Sequence, residues 1–374
     1  MKKAIVISAY DYYEVRAKYI REILIQEGYN VEYLIASYNH HAKKQIDSCR
    51  EEATLINTIG YKRNVSIIRF LSCFIFSFNV LKRVKTVRPS FVYSIIPPNS
   101  LCFFLGKRKK KLKYRLVFDI IDSWPESFSI RNSVIRVLSK PLLDIWKRMR
   151  DSSIVCADVI LGVSNAALAV FPTCESPKRL FYPMPRSHAE IDLSNFKTDS
   201  PLSFCYVGGI NKLLNIGRIV SILSSINKIR PIEVHIIGSG ERKNNFIDRL
   251  SRQNIKTIYH GELYDWPSKF LIYSSCSFGL NIPNKEAKVT MSLKGAEYLC
   301  ASLPIINEAG GDTERLVALY KAGINTTSVS IENAARKIAS FTYQELIEYK
   351  KNAYTLYQNE FEVKNSRDLL FSRS

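Results

Sequence analysis

"KVTMSLKGAEYLCASLPIINEAGG", residues 288–311, is the stretch on which the reading of the fold turns. Thr290 or Ser292 can cap a helix that reads from Ser292 to Cys300. A small-residue turn at Ala301-Ser302 follows, then Leu303-Pro304, an apolar strand at Ile305-Ile306 and a Gly310-Gly311 turn. A helix that passes straight into a short apolar strand is the repeating unit of a parallel sheet. Two charges stand in that helix. Lys294 lies in its first turn, where the helix dipole disfavours a cation, and Glu297 lies three residues on. Two readings fit: a solvated pair worth about 0.2–0.5 kcal/mol, or a helix start that faces an anion while Glu297 accepts sugar hydroxyls.

Outward from this unit the same alternation runs through nearly the whole chain. "KAIVISA" reads as a buried strand, and "EVRAKYIREILIQEG" as a helix with an apolar stripe at Val15, Tyr19, Ile20, Ile23 and Leu24, closed by Gly28. "NVEYLIAS", "FVYSI", "RLVFDII" and "ADVILGVS" read as further strands, the last with Ser164 capping a helix. Between them lie a helix ended by Pro89, another begun by "PPNSLCFF", and a long one interrupted at Pro141. A Pro-rich, poorly periodic stretch from Phe171 to Pro201 reads as a linker. The strands "LSFCYVGG", "IEVHIIGSG", "IKTIYHG", "SFGLNI" and "LPIIN" then restart the pattern. The expectation is an α/β protein with two parallel-sheet units and a cleft between them, ligands binding beyond the carboxyl ends of the strands.

The bulk composition agrees. A chain of 374 residues suits two domains, and 46% apolar with 24% charged residues is globular composition. Eight cysteines form no CxxC pair and no zinc-spaced cluster, so they read as buried reduced thiols; His40-His41 reads as a surface pair. "MKKAIVISAY" lacks the apolar core of about 7–15 residues and the cleavage site of a signal peptide, so a cytosolic location is expected. The net charge of +20 is lopsided: residues 1–150 hold 28 Lys/Arg against 12 Asp/Glu, the rest 26 against 22. The first half therefore carries the field, which points to an anionic partner.

Three more stretches can carry chemistry. "FCYVGGINKLLNIGRIVSIL" puts Gly208-Gly209 at a strand end, before Lys212 and a helix from about Leu213. That is either an ordinary βα turn or a loop whose N–H groups approach a phosphate. "IIGSGERKNNFIDRL" repeats the arrangement with Gly238 and Gly240, as a tight turn or a ligand loop. "VFDIIDSWPESFS" gathers Asp119, Asp122 and Glu126 around Trp124 at a strand end, which suits either a sugar site or a helix cap.

Together these stretches resemble the GT-B glycosyltransferases, most of all the retaining family 4 type of capsule, O-antigen and exopolysaccharide assembly. "DIIDSWPES" is similar to an Asp-x-Trp-Pro-Glu stretch of such enzymes, and "ADVILGVSNAAL" to their Ala-Asp strand ending in Ser. "IIGSGERKNNF" is similar to their Gly-x-Gly turn. "SLKGAEYLCASLPII" is similar to their Lys-x-x-Glu-Tyr segment and is the most specific of the four. The resemblance implies two Rossmann-like domains facing across a cleft: residues 1–185 for the acceptor, a linker over 186–200, and 201–355 for the nucleotide sugar. It also implies that 356–374 returns as a helix to the first domain.

The resemblance assigns roles as well. Glu297 would bind the donor ribose hydroxyls; Gly208, Gly209 and Lys212 would face the donor diphosphate, with Gly238 on the neighbouring turn; Ser292, Leu293 and Lys294 would face it from the helix start; Asp122 would lie near the reacting sugar. The chain departs from the pattern at four points. Val289 stands where many members carry the first acid of a Glu-x7-Glu motif, Gly209 where they carry Arg, and Ser302 where they carry Gly. "SAYDYYEVR" replaces their first Gly-Gly loop.

The implied reaction moves a sugar from a nucleotide-sugar donor to a lipid-linked (polyprenyl-diphosphate) or glycan acceptor. Lys212, Lys294 and loop N–H groups would stabilise the departing diphosphate. The chain has no Asp-x-Asp motif, so no metal and no other cofactor is expected. The run from Lys107 to Arg115, with Lys107, Arg108, Lys109, Lys110 and Lys111, reads as a basic loop for an anionic membrane surface on the cytosolic leaflet. The apolar helix before it, with Phe70, Phe74, Ile75 and Phe78, is too short to span a bilayer, which needs about 20 residues. A nucleotide-sugar epimerase of the same fold or a degenerate GT-B binding protein are the alternatives. Nucleic acid is not expected as a partner, because "KRKKKLK" interleaves no aromatic residue.

Overall fold

A computed structural model describes residues 1–10, 13–40, 42–46, 53–63, 66–126, 133–171, 174–182, 196, 201–284, 289–290, 292–362 and 366–371, the side chains from 137 and from 367 in the two helices that open at 133 and 366. They form two compact units, residues 1–183 with 363–374, and residues 184–362.

In the first unit the strands are β1 (Lys2–Ser8), β2 (Tyr29–Ala36), β3 (Tyr38–Asn39), β4 (Lys44–Gln45), β5 (Thr54–Ile56), β6 (Phe91–Ile96), β7 (Arg115–Ile120), β8 (Val159–Gly162) and β9 (Lys178–Leu180). Seven make one parallel sheet in the order β5-β2-β1-β6-β7-β8-β9; β3 and β4 pair apart as a small antiparallel ladder. The central strands are buried on both faces, which is why they read as continuous apolar runs. Ile5, Ile7, Val92, Leu116 and Phe118 point to one layer with helices Ile67–Val87 and Asn99–Leu112. Their neighbours Ala4, Val6, Tyr93 and Val117 point to the other, with helix Glu14–Gln26. Leu369 and Leu370 of the terminal helix Ser366–Phe371 join that second layer, and Arg115 Nε donates to the Leu370 carbonyl at 3.0 Å.

Several sequence expectations change here. The stretch read as linker from Phe171 contains β9, a strand of three residues that is too short to show a period. The helix Ser133–Ile154 runs through Pro141 without a break. Val15 is exposed, and Arg16 takes its place on the buried face of the first helix. Residues 107–111 are not a loop: they belong to the last turns of Asn99–Leu112, where the dipole favours cations. His40 is buried beside the Tyr61 hydroxyl, 2.6 Å from its Nδ1; His41 lies outside the described residues.

The second unit has β10 (Leu202–Val207), β11 (Ile232–Ile237), β12 (Lys256–Gly261), β13 (Phe278–Asn281), β14 (Ile305–Asn307) and β15 (Gly323–Asn325). Their order, β12-β11-β10-β13-β14-β15, is that of a doubly wound dinucleotide-type sheet, and all pairs are parallel. Helix Tyr343–Leu356 opens with a Thr342–Glu345 capping box and continues as a π-helical turn to Phe361. Lys350 of that helix is fully buried; it donates to the Ser274 carbonyl at 3.2 Å and lies over the Phe196 ring.

Candidate functional site

The strand order of the second unit reverses between β10 and β13. Loops leaving the carboxyl ends of two such strands diverge, and ligands of doubly wound sheets lie in the crevice that results. β10 delivers Gly208 and Gly209 there, and β13 delivers Asn281. The helix Leu293–Cys300 starts against that edge, the Asn281 amide facing Gly295.

The glycines have a backbone reason. Gly208 and Gly238 both take positive φ, +119° and +123°, and a Cβ on Gly238 would collide with the Gly208 carbonyl. One on Gly240 would come within 2.5 Å of the Ile210 oxygen. The two turns are laced together: Gly208 N–H donates to Ile237 at 3.0 Å, Ile210 N–H to Ser239 at 2.8 Å and Arg242 N–H to Ile210 at 3.0 Å. Close loop–loop packing thus demands Gly238 and Gly240 by itself.

Ser292 caps the neighbouring helix and accepts from Gly295 N–H at 3.2 Å, which decides between the two expected caps. The N–H groups of Leu293 and Lys294 have no acceptor among the described residues. The Lys294 ammonium lies 4.5 Å from the centre of the Tyr206 ring and donates to the Tyr206 hydroxyl at 3.3 Å. That hydroxyl donates in turn to the Gly209 carbonyl at 2.8 Å, tying the Gly loop to the helix start. Among the described residues no carboxylate pairs with Lys294. Burial pushes its ammonium down to about 8. A desolvated cation with no counter-ion among the described residues, beside N–H groups that likewise find no acceptor there and a Gly loop, is arranged to receive an anion.

Glu297 lies one turn further along and is already engaged. Lys269, from helix Trp266–Ser275, forms an ion pair with its Oε1. Tyr273 packs nearby, its hydroxyl pushed far up by burial and then by the Glu297 charge. Lys269 and Tyr206 were not singled out from the sequence. They meet their partners across 28 and 88 residues of chain, and no local motif marks them. A row of asparagines was also missed. Asn281, Asn307 and Asn325 stand opposite one another at the ends of β13, β14 and β15, linked amide to amide at 2.7 and 2.8 Å.

The remaining expected residues divide. Lys212 is exposed, and its carbonyl accepts from Asn284 at 3.3 Å; the helix after it starts at Ile216, capped by Asn215, not at Leu213. Leu293 is exposed. In the first unit, Asp122 Oδ2 accepts from the Trp124 indole at 2.8 Å. Asp119 is fully buried and held by Arg16 through two hydrogen bonds of 2.8 and 2.6 Å. Glu126 meets Arg150 through two of 2.8 Å. Burial opposes its ionisation, but the Arg150 hydrogen bonds outweigh burial and hold the carboxyl below its usual range. So two of the three clustered acids serve as ion-pair partners. Lys109 pairs with Asp158 at 2.7 Å, whereas Lys107, Arg108, Lys110 and Lys111 are exposed.

No protein-family model matches the sequence, and no curated protein matches it. Solved structures do. The lipopolysaccharide outer core galactosyltransferase WaaB, in its apo form, matches with a TM-score of 0.63 at 15% identity, over 97% of this chain and 96% of that one. The fold is GT-B. HepE from Anabaena in complex with UDP-glucose matches with 0.62 at 12% identity over 99% and 98% of the two chains. WaaG, a glycosyltransferase involved in lipopolysaccharide biosynthesis, matches with 0.62 at 12% over 98% and 96%. At these identities the likeness is one of fold.

Proposed function

We propose that this GT-B chain is a glycosyltransferase that moves a sugar from a nucleotide-sugar donor to a lipid-linked or polysaccharide acceptor in bacterial surface-polysaccharide assembly. The observation that carries the reading is Lys294: a desolvated ammonium at the switch point of a dinucleotide-type sheet, with a phenol and, among the described residues, no carboxylate beside it. A diphosphate would supply the missing counter-charge, and the N–H groups of Leu293 and Lys294 would donate to the same oxygens. As the donor bond breaks, negative charge grows on that diphosphate, so a fixed cation favours the transition state over the bound donor. Glu297, held in one orientation by Lys269, would accept ribose hydroxyls through its second oxygen. Asp122, in the first unit, would orient acceptor or sugar.

The reading takes the reaction as retaining, of the family 4 type, and independent of divalent metal, working at the inner face of a membrane. Its support there is the resemblance of "SLKGAEYLCASLPII", the missing Asp-x-Asp motif and the basic first half.

Thermal unfolding against UDP-, GDP-, TDP- and CMP-sugars and their free nucleotides tests it. One nucleotide at a hundred times its dissociation constant should add about 2.7 kcal/mol of stability. Absence of a shift with all of them would contradict the reading.

A further inference from the structure

From residue 53 to residue 118 the chain holds 14 Lys and Arg residues and not one Asp or Glu. That run builds helices Ile67–Val87 and Asn99–Leu112, which pack side by side in the first unit. Ile67, Leu71, Phe74, Phe78, Lys82 and Lys85 recur on the first helix at three- and four-residue steps, so they share one face. The four apolar members are 77%, 51%, 41% and 44% exposed. Phe104 of the second helix meets Phe74 and Phe78 edge-on, with ring centres 5.0 and 6.0 Å apart, and Lys82 lies 4.7 Å over the Phe78 ring.

The core does not need this stripe. Cys73, Phe76, Val80 and Val84 on the opposite face already pack against the sheet. A helix face turned permanently to water would carry charge here, and contiguous exposed apolar side chains of this kind mark contact sites. The second helix ends in exposed Lys107, Arg108, Lys110 and Lys111. No helix among the described residues is long and apolar enough to cross a membrane, so this one would lie on a surface, not through it.

We propose that this face docks on an anionic lipid bilayer: Ile67, Leu71, Phe74, Phe78 and Phe104 seat at the boundary between headgroups and acyl chains, while Lys82, Lys85 and the basic helix end meet lipid phosphates. It rests on the transferase reading in one respect, that a lipid-linked acceptor has to be met at a membrane. Charge complementarity selects the occupant. A second copy of the chain would bring together two predominantly basic faces, whose nearby acids Glu32 and Asp158 are already paired with Arg83 and Lys109. A nucleic acid would satisfy the cations but leave aliphatic Ile67 and Leu71 with no flat ring to stack on a base. The inference moves the main contact from the lysine run to the apolar stripe beside it.

Flotation of the full chain with vesicles of phosphatidylglycerol and phosphatidylethanolamine, and with phosphatidylcholine alone, tests this at low and high salt. The chain should float with the anionic vesicles and keep part of that binding at high salt, where purely electrostatic attachment is screened. The combined Leu71→Gln, Phe74→Gln and Phe78→Gln variant should partition about tenfold more weakly or worse at both salts, with unchanged unfolding temperature, since these side chains are exposed. Neutralising Lys107, Arg108, Lys110 and Lys111 to Gln should remove only the salt-sensitive part. A wild-type chain that stays at the bottom of the gradient, or an apolar-stripe variant that floats like wild type, overturns the proposal. So does tight binding of single-stranded RNA without flotation. The transferase reading fails separately: a chain that floats but shifts with no nucleotide sugar would keep the surface and lose the enzyme.

Discussion

At the carboxyl edge of the first sheet Asp119 and Glu126 each meet a guanidinium through two hydrogen bonds; at the carboxyl edge of the second, Lys294 meets a phenol. Both edges belong to doubly wound sheets with buried or half-buried charge. In the first, charge has a counter-charge supplied from within the chain, which suits scaffolding. In the second, Glu297 is paired with Lys269, but Lys294 has no counter-charge among the described residues, and a desolvated cation in that position costs stability unless something else uses it. The difference teaches that a charged residue at a strand end is read better by its partner than by its type. From sequence, Asp119 stood in a cluster that suited either a sugar site or a helix cap, and Lys294 in a helix start that suited either a solvated pair or an anion site.

The comparison breaks first at Arg16. Arg16→Ala leaves the buried Asp119 carboxylate without its counter-charge and with only the Tyr93 hydroxyl donating to it, so the first unit should lose about 3–5 kcal/mol in denaturant unfolding. A loss near zero would mean that the pair is not structural. Lys294→Ala should do the opposite: donor turnover falls by about 10²–10³, while the unfolding temperature does not drop, because a half-buried, desolvated ammonium has been removed. A variant that unfolds early would make Lys294 scaffold as well.

Acidity sharpens the same contrast. Lys294 and Lys350 are both pushed down to about 8 by burial, from an ordinary 10.5. Between those values the unfolded chain binds more protons than the folded one, so stability of the second unit should rise with pH across that window. Nucleotide affinity should fall over the same rise, since Lys294 loses its charge. Parallel pH titrations of unfolding and of binding would separate the two; affinity flat to pH 9 would contradict a role for the ammonium. The smallest effect is expected at Ser302, a buried residue at φ +57° in the turn after the helix Leu293–Cys300. Ser302→Gly should stabilise by up to about 1 kcal/mol in thermal unfolding, and a loss would mean that the hydroxyl matters more than the backbone.

The helix Leu293–Cys300 was legible almost to the residue, because Ser292, the turn at Ala301-Ser302 and the apolar strand bracket it. The alternation of buried strands and amphipathic helices likewise carried the α/β class. Arg16 was within reach, since it stands four residues before Ile20 on the buried face. β9 was not: three residues hold no period. The partners of the site residues were the least legible. Tyr206 reaches Lys294 from another strand, and Lys269 reaches Glu297 from another helix, so neither pairing exists until the sheet has ordered them.

The most direct test is calorimetric titration of the nucleotide that stabilises the chain most, into wild type and Lys294→Ala at pH 7. The account predicts at least a tenfold weaker affinity in the variant, equivalent to about 1.4 kcal/mol, with the fold unchanged. Equal affinity in the two proteins would contradict it and would leave Lys294 a half-buried cation with no ligand to explain it.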